Sequence, residues 1–458
     1  MPIAAIFIAA VVLAPILLSD CVSQPDDDLP PTPLPNSELP GAEVFQHDRF
    51  YTYHIEISPA NLSHLEEYGN DEEYLPATLS VDDGEQTWNL GTVGFRHKGA
   101  WSLHHCWDEN GEVRSYEDEC ARLSYKIQFN EYDRNNRFFG LKRLNLQTGD
   151  FYLLSNILAL SIFADAGIPT SRFAPATLYI NGELSGLFLA LEEVDGRFTA
   201  FRHPETGDGN LYKEAWPHPD LPDSYFIDQL QTNEGNTDVS DIQGFSEAIG
   251  QTSAATFARD MEPWIDIEMM LRYMAIDRAI KNWDGITAFY SPYSPHNFFW
   301  YRDNSPGARF EIIPWDLGNT FWEFDPYIHP QDWVTSNPVP DWNVLPASCE
   351  PIPVWTQDGD TSIIPSGCDK FLQLLASTQW ERFVTIGEEE LAGPLSYENM
   401  NAHLTYWGEF LLPLVEQDPI MTVDEWYWRV DNLRTVVAST PDYLRNFMAE
   451  GYTIQASD

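Results

Sequence analysis

Residues 271–318 read LRYMAIDRAIKNWDGITAFYSPYSPHNFFWYRDNSPGARFEIIPWDLG. Apolar spacing predicts a helix from about Asp266 to Lys281 that stops at Asn282-Trp-Asp284-Gly285. Two runs rich in aromatic and β-branched residues follow, 298–302 and 309–313, on either side of a turn at Asp303-Asn-Ser-Pro-Gly307. The second run leads into Pro314-Trp-Asp316. Asp284, Asn297 and Asp316 therefore fall at a helix end, at the entry to a hairpin and at its exit. Asp and Asn at such places often do no more than cap backbone groups. Three oxygen-bearing side chains around one helix–loop–hairpin, with Trp315 beside the last, are also a set that a divalent cation and a reacting hydroxyl could use.

The chain before this stretch is β-rich. Tyr51–Ile57, Ala77–Val81, Leu90–Lys98 and Leu123–Phe129 read as strands. Phe151–Ala166 carries apolar residues at 153, 154, 157, 158, 160 and 162, which predicts a buried helix ending before Gly167 and Pro169. Ala174–Ile180 and Leu187–Leu191 flank Asn181-Gly182, a hairpin signal, and Glu192-Glu193-Val-Asp195 then reads as a hinge. After the quoted stretch, Trp322–Asp369 is rich in Pro and Trp with little periodicity. Helical patterns return at 371–375, 383–391, 400–412 and 426–448, the third expected to stop at Pro413.

Taken in order, these blocks resemble the CotH family, the spore-coat-protein-H-like atypical kinases, from about Thr92 to Phe321. The resemblance is carried by Gly94-Phe-Arg96-His-Lys98-Gly99-Ala-Trp-Ser102, Leu123-Ser-Tyr-Lys126-Ile-Gln-Phe129, Phe139-Gly140-Leu-Lys142-Arg-Leu144-Asn145-Leu146 and Asp150. It continues through Ala166-Gly167-Ile-Pro169, Asn181-Gly182-Glu183, Leu191–Asp195 and Asn210-Leu-Tyr-Lys213 to Asn282-Trp-Asp284, His296-Asn297 and Pro314-Trp-Asp316-Leu. Protein-kinase-like enzymes place a catalytic Asp, a metal-binding Asn and a metal-binding Asp in this order.

The resemblance implies an α+β, atypical protein-kinase-like, two-lobed fold. Its β-rich N-lobe would span 46–195, and its mainly helical C-lobe, with a helical tail, 196–458. It implies transfer of the ATP γ-phosphate to a hydroxyl acceptor, protein Ser/Thr or a small molecule. By the same resemblance Asp284 would take or orient the acceptor's proton, and Asn297 and Asp316 would hold Mg²⁺ or Mn²⁺. Lys126 would meet the phosphates, Arg96, Lys98 and Ser102 would cover them, and Glu192 would belong to the segment lining the adenine slot. Two positions depart from the family pattern. Gly318 stands where a second acid is usual, and Ser155-Asn156 where the helix after Asp150 commonly carries Arg-Glu. These departures leave open a catalytically impaired pseudokinase, or a surface-anchored binding or structural protein. Glycan handling is a further alternative, because paired acids and 16 tryptophans also suit carbohydrate.

Composition narrows the partners. A formal net charge of −46, from 25 basic and 71 acidic residues, repels nucleic acid and anionic headgroups. No nucleic-acid partner is expected. Basic residues gather between Gly94 and Arg143, nine of them against eight acids. Such a spot suits a triphosphate, although pairing to the neighbouring acids reads equally well.

Residues 1–21 read as a signal peptide whose apolar run, Ile3–Leu18, ends at Leu18-Ser-Asp20-Cys21, like a lipoprotein cleavage site. Residues 22–45, with Asp26-Asp-Asp28 and several prolines, read as a disordered linker. An exported protein is expected, held in the cell envelope by an N-terminal lipid and touching the membrane only there, or else secreted. With Cys21 set aside, the pairs Cys106/Cys120 and Cys349/Cys368 read as disulfides closing short loops. Neither has zinc-ligand spacing, though His104 and His105 beside Cys106 keep a metal alternative open.

Overall fold

The computed structural model describes residues 38–99, 103, 106, 107, 120, 122–148, 153–235, 237–290, 294–322, 341–356 and 359–455. The expected signal segment with Cys21, the first part of the linker, and Ser102 lie outside the described residues.

The chain is α+β. It opens with β1 (Tyr51–Ile57), α1 (Pro59–Glu67), β2 (Leu75–Asp82), β3 (Thr87–Lys98), β4 (Ser124–Gln128), β5 (Arg143–Thr148), α2 (Leu153–Asp165), β6 (Phe173–Ile180) and β7 (Glu183–Glu192). The seven strands form a closed barrel, in the order β1-β2-β3-β4-β5-β7-β6. Alternation fills it: Tyr51, Tyr53, Ile55 and Ile57 point inward from β1, as do Leu75, Ala77, Leu79 and Val81 from β2. The last seam is a parallel pairing of β1 with β6, Tyr51 opposite Ala176 through Ile55 opposite Ile180, and it leaves the barrel without an open edge. Residues 42–45, expected in the linker, belong to the fold. Val44 and Phe45 are buried in the barrel core, where their apolar surface leaves water.

The remaining elements are α3 (Gly196–Arg202), β8 (Asn210–Lys213), α4 (Asp223–Asp228), α5 (Ser240–Gln251), α6 (Phe257–Met261), α7 (Ile267–Ala279), β9 (Phe289–Tyr290), β10 (Phe298–Arg302) and β11 (Glu311–Pro314). Then come β12 (Val344–Leu345), β13 (Ile352–Thr356), β14 (Gly359–Pro365), α8 (Lys370–Leu391), α9 (Tyr397–Phe410), α10 (Leu412–Val415), α11 (Val423–Glu450) and β15 (Thr453–Ile454). The helix α2 is mostly apolar and almost wholly buried, Ser155, Asn156 and Ser161 included. It joins a second, larger core in which Leu187, Leu189 and Leu191, from the outside of the barrel, meet α7, α8, α9 and α11. Arg122 fastens the two regions with a two-pronged pair to Asp418 (2.6 and 2.8 Å), whose carboxylate also accepts the Leu187 N–H.

Several local expectations are corrected. Within 322–369, where the sequence shows little periodicity, β13 and β14 form a hairpin. Prolines at 353 and 365 interrupt the alternation that would announce it. Pro413 does not end α9, which stops at Phe410; it sits in the first turn of α10, where its missing N–H has no partner to lose. Both disulfides are present, Cys106–Cys120 and Cys349–Cys368. Among the described residues, no helix is long and apolar enough to cross a membrane.

Candidate active site

Three strand ends converge. In the sheet β11-β10-β8, Phe298 lies opposite Pro314 and Phe299 opposite Lys213. Asn297 before β10, Trp315-Asp316 after β11 and Glu214 after β8 are therefore brought to one end of the sheet. Backbone bonds lock them there, with Trp315 N–H donating to Asn297 O (3.0 Å) and Glu214 N–H to Phe298 O (3.0 Å). Glu214, Asn297 and Asp316 all take positive φ (55°, 62° and 46°). This left-handed backbone is rare outside glycine and persists where surrounding contacts impose it.

The loop after α7 delivers Asp284 to the same place. Asp277, fully buried in the last turn of α7, accepts hydrogen bonds from Asn282 Nδ2 (2.8 Å), Thr287 Oγ1 (2.7 Å) and Thr287 N–H (3.2 Å), which fold the loop back. Gly285 is required by this close packing, since a Cβ there would lie 2.6 Å from Asp277 Oδ1 and 2.4 Å from Asn282 Nδ2. Burial pushes Asp277 up to about 6 against those hydrogen bonds.

Asn297 is the hub. Its N–H donates to Glu214 Oε1 (3.2 Å), and its Nδ2 donates to Asp284 Oδ2 (2.8 Å) and to Asp284 O (3.2 Å). The amide nitrogen is thereby committed to Asp284, and Oδ1 is left as the acceptor end. Asp284 is half-buried, and desolvation pushes it up to about 6. His296 and Asn297 oppose that shift, while the negative Asp316 and Glu214 reinforce it. His296, 3.7 Å from Glu214 Oε2, is raised by that carboxylate first and by Asp284 as well, burial opposing. Asp316 is exposed.

Cations come from the outer face of the barrel. Arg96 lies opposite Lys126 across β3 and β4, and Lys126 opposite Asn145 across β4 and β5. With Lys98 two residues beyond Arg96, all four side chains share one face. Lys98 Nζ donates to Gln147 Oε1 (3.1 Å) and lies 5.2 Å from the centre of the Trp315 ring. Burial lowers its pKa. The charges of Asp316 and Glu193 raise it, and those of Lys126 and Lys213 lower it further. Lys126 Nζ pairs with Glu193 Oε1 at 2.6 Å.

The structure thus brings together Asp284, Asn297 and Asp316, with Lys98 beside Trp315 in electrostatic reach of both Asp316 and Lys126. Arg96 is turned aside, paired with Glu72 (2.8 Å) over the Tyr74 ring. The Glu192 carboxylate is also elsewhere, held by Arg172 (2.6 and 3.0 Å) and Arg202 (2.9 Å), and its backbone N–H donates to Arg172 O. Burial pushes Glu192 up, but the two guanidiniums win and leave it at about 2. Glu214, Asp277 and Asn145 have no role in the sequence-based expectations, and Glu193 enters them only as part of the hinge segment. Asp277 has a signal, an acid inside the apolar pattern of α7; Asn145 and Glu193 stand inside blocks that carry the family resemblance, and Glu214 directly follows one. The arrangement offers a carboxylate titrating near neutrality, two hard oxygen donors in Asn297 Oδ1 and Asp316, and a pair of lysines. These are the chemical needs of moving a phosphoryl group. Among the described residues, no group of three or more His, Cys, Asp or Glu is arranged to hold an ion by itself.

The family model described as CotH kinase protein matches residues 95–451. The chain belongs to the CotH kinase family. A relative, the inner spore coat protein H of Bacillus subtilis (strain 168), is 23% identical over 279 residues, covering 59% of this CotH-family chain and 68% of the relative. Among solved structures, the Helicobacter pylori proinflammatory kinase CtkA overlaps 67% of this chain and 91% of its own, with TM-score 0.26 and 8% identity. The Shewanella oneidensis MR-1 toxin–antitoxin complex of HipA, HipB and operator DNA overlaps 67% of this chain and 59% of its own, with TM-score 0.26 and 11% identity. Both structural overlaps are too loose to bear on fold or chemistry.

Proposed function

We propose that this CotH-family chain is a metal-dependent kinase that moves the γ-phosphate of ATP to a hydroxyl acceptor, protein Ser/Thr or a small molecule, outside the cytoplasmic membrane. The observation that carries it is the Asn297 side chain, whose nitrogen is fixed on the Asp284 carboxylate beside exposed Asp316. The donor set fits Mg²⁺ or Mn²⁺, since it offers oxygen alone and keeps few protein ligands, as phosphate-bridging sites do. Asn297 Oδ1 and Asp316 would hold the ion, which when bound supplies neutralising charge to the phosphates. Asp284 accepts or orients the proton of the attacking hydroxyl, and its pKa near 6 leaves it largely ionised at neutral pH while still basic enough for that work. Lys126 and Lys98 face the phosphates as point charges. We read the barrel half, 46–195, as the N-lobe and 196–458 as the C-lobe, with the site where they meet. Two disulfides fit a compartment outside the reducing cytoplasm, and a lipid on Cys21 would hold the chain at the envelope.

Titration calorimetry with ATP, with and without Mn²⁺, tests binding. Label transfer from γ-labelled ATP by the parent, Asp284→Ala and Asp316→Ala tests chemistry. Metal-dependent binding with transfer lost in both variants is the expected result, and equal labelling by both would remove the assignment. Gly318, in the place of a family acid, favours one second reading. This is a nucleotide-binding pseudokinase, marked by metal-dependent binding without transfer from the parent.

A further inference from the structure

We propose that Glu193 positions Lys126, and that this acid at a strand end takes the part an acid on α2 would otherwise play. The inference rests on the reading of Lys126 as the phosphate-facing lysine. From Leu153 to Asp165, α2 holds a single acidic residue, Asp165 itself, and that carboxylate is engaged by His403 Nε2 (2.7 Å) and Asn399 Nδ2 (2.9 Å). Ser155 and Asn156, where the family resemblance would place an Arg-Glu pair, are buried and uncharged. Among its described residues the helix therefore offers the lysine no carboxylate.

Glu193 fills that need from the opposite direction. It follows directly on β7, and its two oxygens are divided, Oε1 at 2.6 Å from Lys126 Nζ and Oε2 at 2.6 Å from Asn145 Nδ2. Asn145 is itself the cross-strand partner of Lys126 and is wholly buried. The lysine, the amide and the carboxylate make a closed triangle on the outer face of the barrel. Its members are largely withdrawn from water, with Lys126 and Glu193 side chains 15% and 13% exposed, so solvent screening is weak. A lysine on four methylenes would otherwise sample many rotamers, and a fixed carboxylate removes that freedom before a phosphate arrives. The neighbouring Glu192 cannot stand in, because Arg172 and Arg202 already saturate it. Burial alone would raise Glu193. Lys126, Asn145 and Lys98 hold it below the usual carboxylate range, so it stays an anion at neutral pH.

A double-mutant cycle on the full chain tests this, with the ATP·Mn²⁺ dissociation constant as readout and thermal melting as the check on folding. Glu193→Gln is expected to weaken binding about ten-fold, and Lys126→Met to weaken it at least as much. In the Lys126→Met background, Glu193→Gln is expected to change nothing further, an outcome that general loosening of the fold would not produce. Parent-like binding by Glu193→Gln, or losses that multiply in the double variant, overturns the proposal. If Glu193→Gln does not fold, Glu193→Asp, which keeps the charge but withdraws it by one methylene, takes its place, and undiminished binding by that variant overturns it equally. A parent protein that binds no ATP with Mn²⁺ overturns the functional reading as well, which separates the two failures.

Discussion

Glu192 and Asp284 are two carboxylates drawn out of water, and they respond in opposite directions. Glu192 is 1% exposed and lies between two guanidiniums, which hold it at about 2. Asp284 has an amide and a nearby histidine on one side and the negative Asp316 and Glu214 on the other, and it rises to about 6. In the first cluster the one carboxylate is held by both guanidiniums, so it fastens α3 and the segment before β6 to the end of β7. Next to Asp284, two acids, Asp316 and Glu214, stand against one histidine, so the carboxylates there are not answered one for one. An electrostatic deficit left at the meeting point of three strand ends and a helix end marks a place for an outside cation and a reacting group, whereas a satisfied pair marks structure.

The comparison can be broken most directly at Asp284. Asp284→Asn is expected to lower phosphoryl transfer by about 10²–10⁴-fold while leaving the melting temperature unchanged or higher. A melting loss with transfer intact would move Asp284 into the structural class. Glu192→Gln is expected to do the reverse. Stranding Arg172 and Arg202 without their anion should cost about 3–5 kcal/mol in urea unfolding, with ATP affinity of the folded fraction unchanged. Altered affinity at full stability would return Glu192 to the nucleotide slot.

The smaller, sharpening effect is in pH. Glu192 is depressed from its ordinary 4.5 to about 2, so its contribution is present above pH 4.5 and is lost as pH falls toward 2. Asp277, raised from 3.8 to about 6, prefers its protonated form in the fold, so its contribution is present below pH 3.8 and is lost as pH rises through 6. Urea unfolding between pH 2 and 8 should therefore show an acid limb that Glu192→Gln flattens and a decline between about 4 and 6 that Asp277→Asn flattens. Limbs that survive the matching substitution would assign these titrations to other groups.

Much of the architecture was legible because it is local. Alternation announced β1 and β3, Asn181-Gly182 announced the β6–β7 hairpin, and helical spacing announced α2, α7 and α11. A hairpin returns its two ends to one place, so Asn297 and Asp316 were expected close together, whereas Asp284 was joined to them by the family resemblance. Partner choice was not legible. Arg96 and Lys98 are two residues apart on one strand, yet Arg96 answers Glu72 whereas Lys98 lies over Trp315. Glu192 and Glu193 are adjacent and alike in chemistry, but one meets two arginines and the other a lysine and an amide. Barrel closure was equally hidden, because among the described residues four strands and two α-helices lie between β1 and its partner β6.

By itself the sequence determined the inventory and its order: alternating strands, amphipathic and buried helices, two cysteine pairs, and an acid–amide–acid set placed at turns. Periodicity and turn chemistry act over a few residues and need no knowledge of the rest of the chain. The tertiary structure decided which charges are answered and which are left over, because electrostatic balance depends on separations and burial that exist only when distant segments pack. That decision separates Glu192 from Glu193, and Asp284 from both.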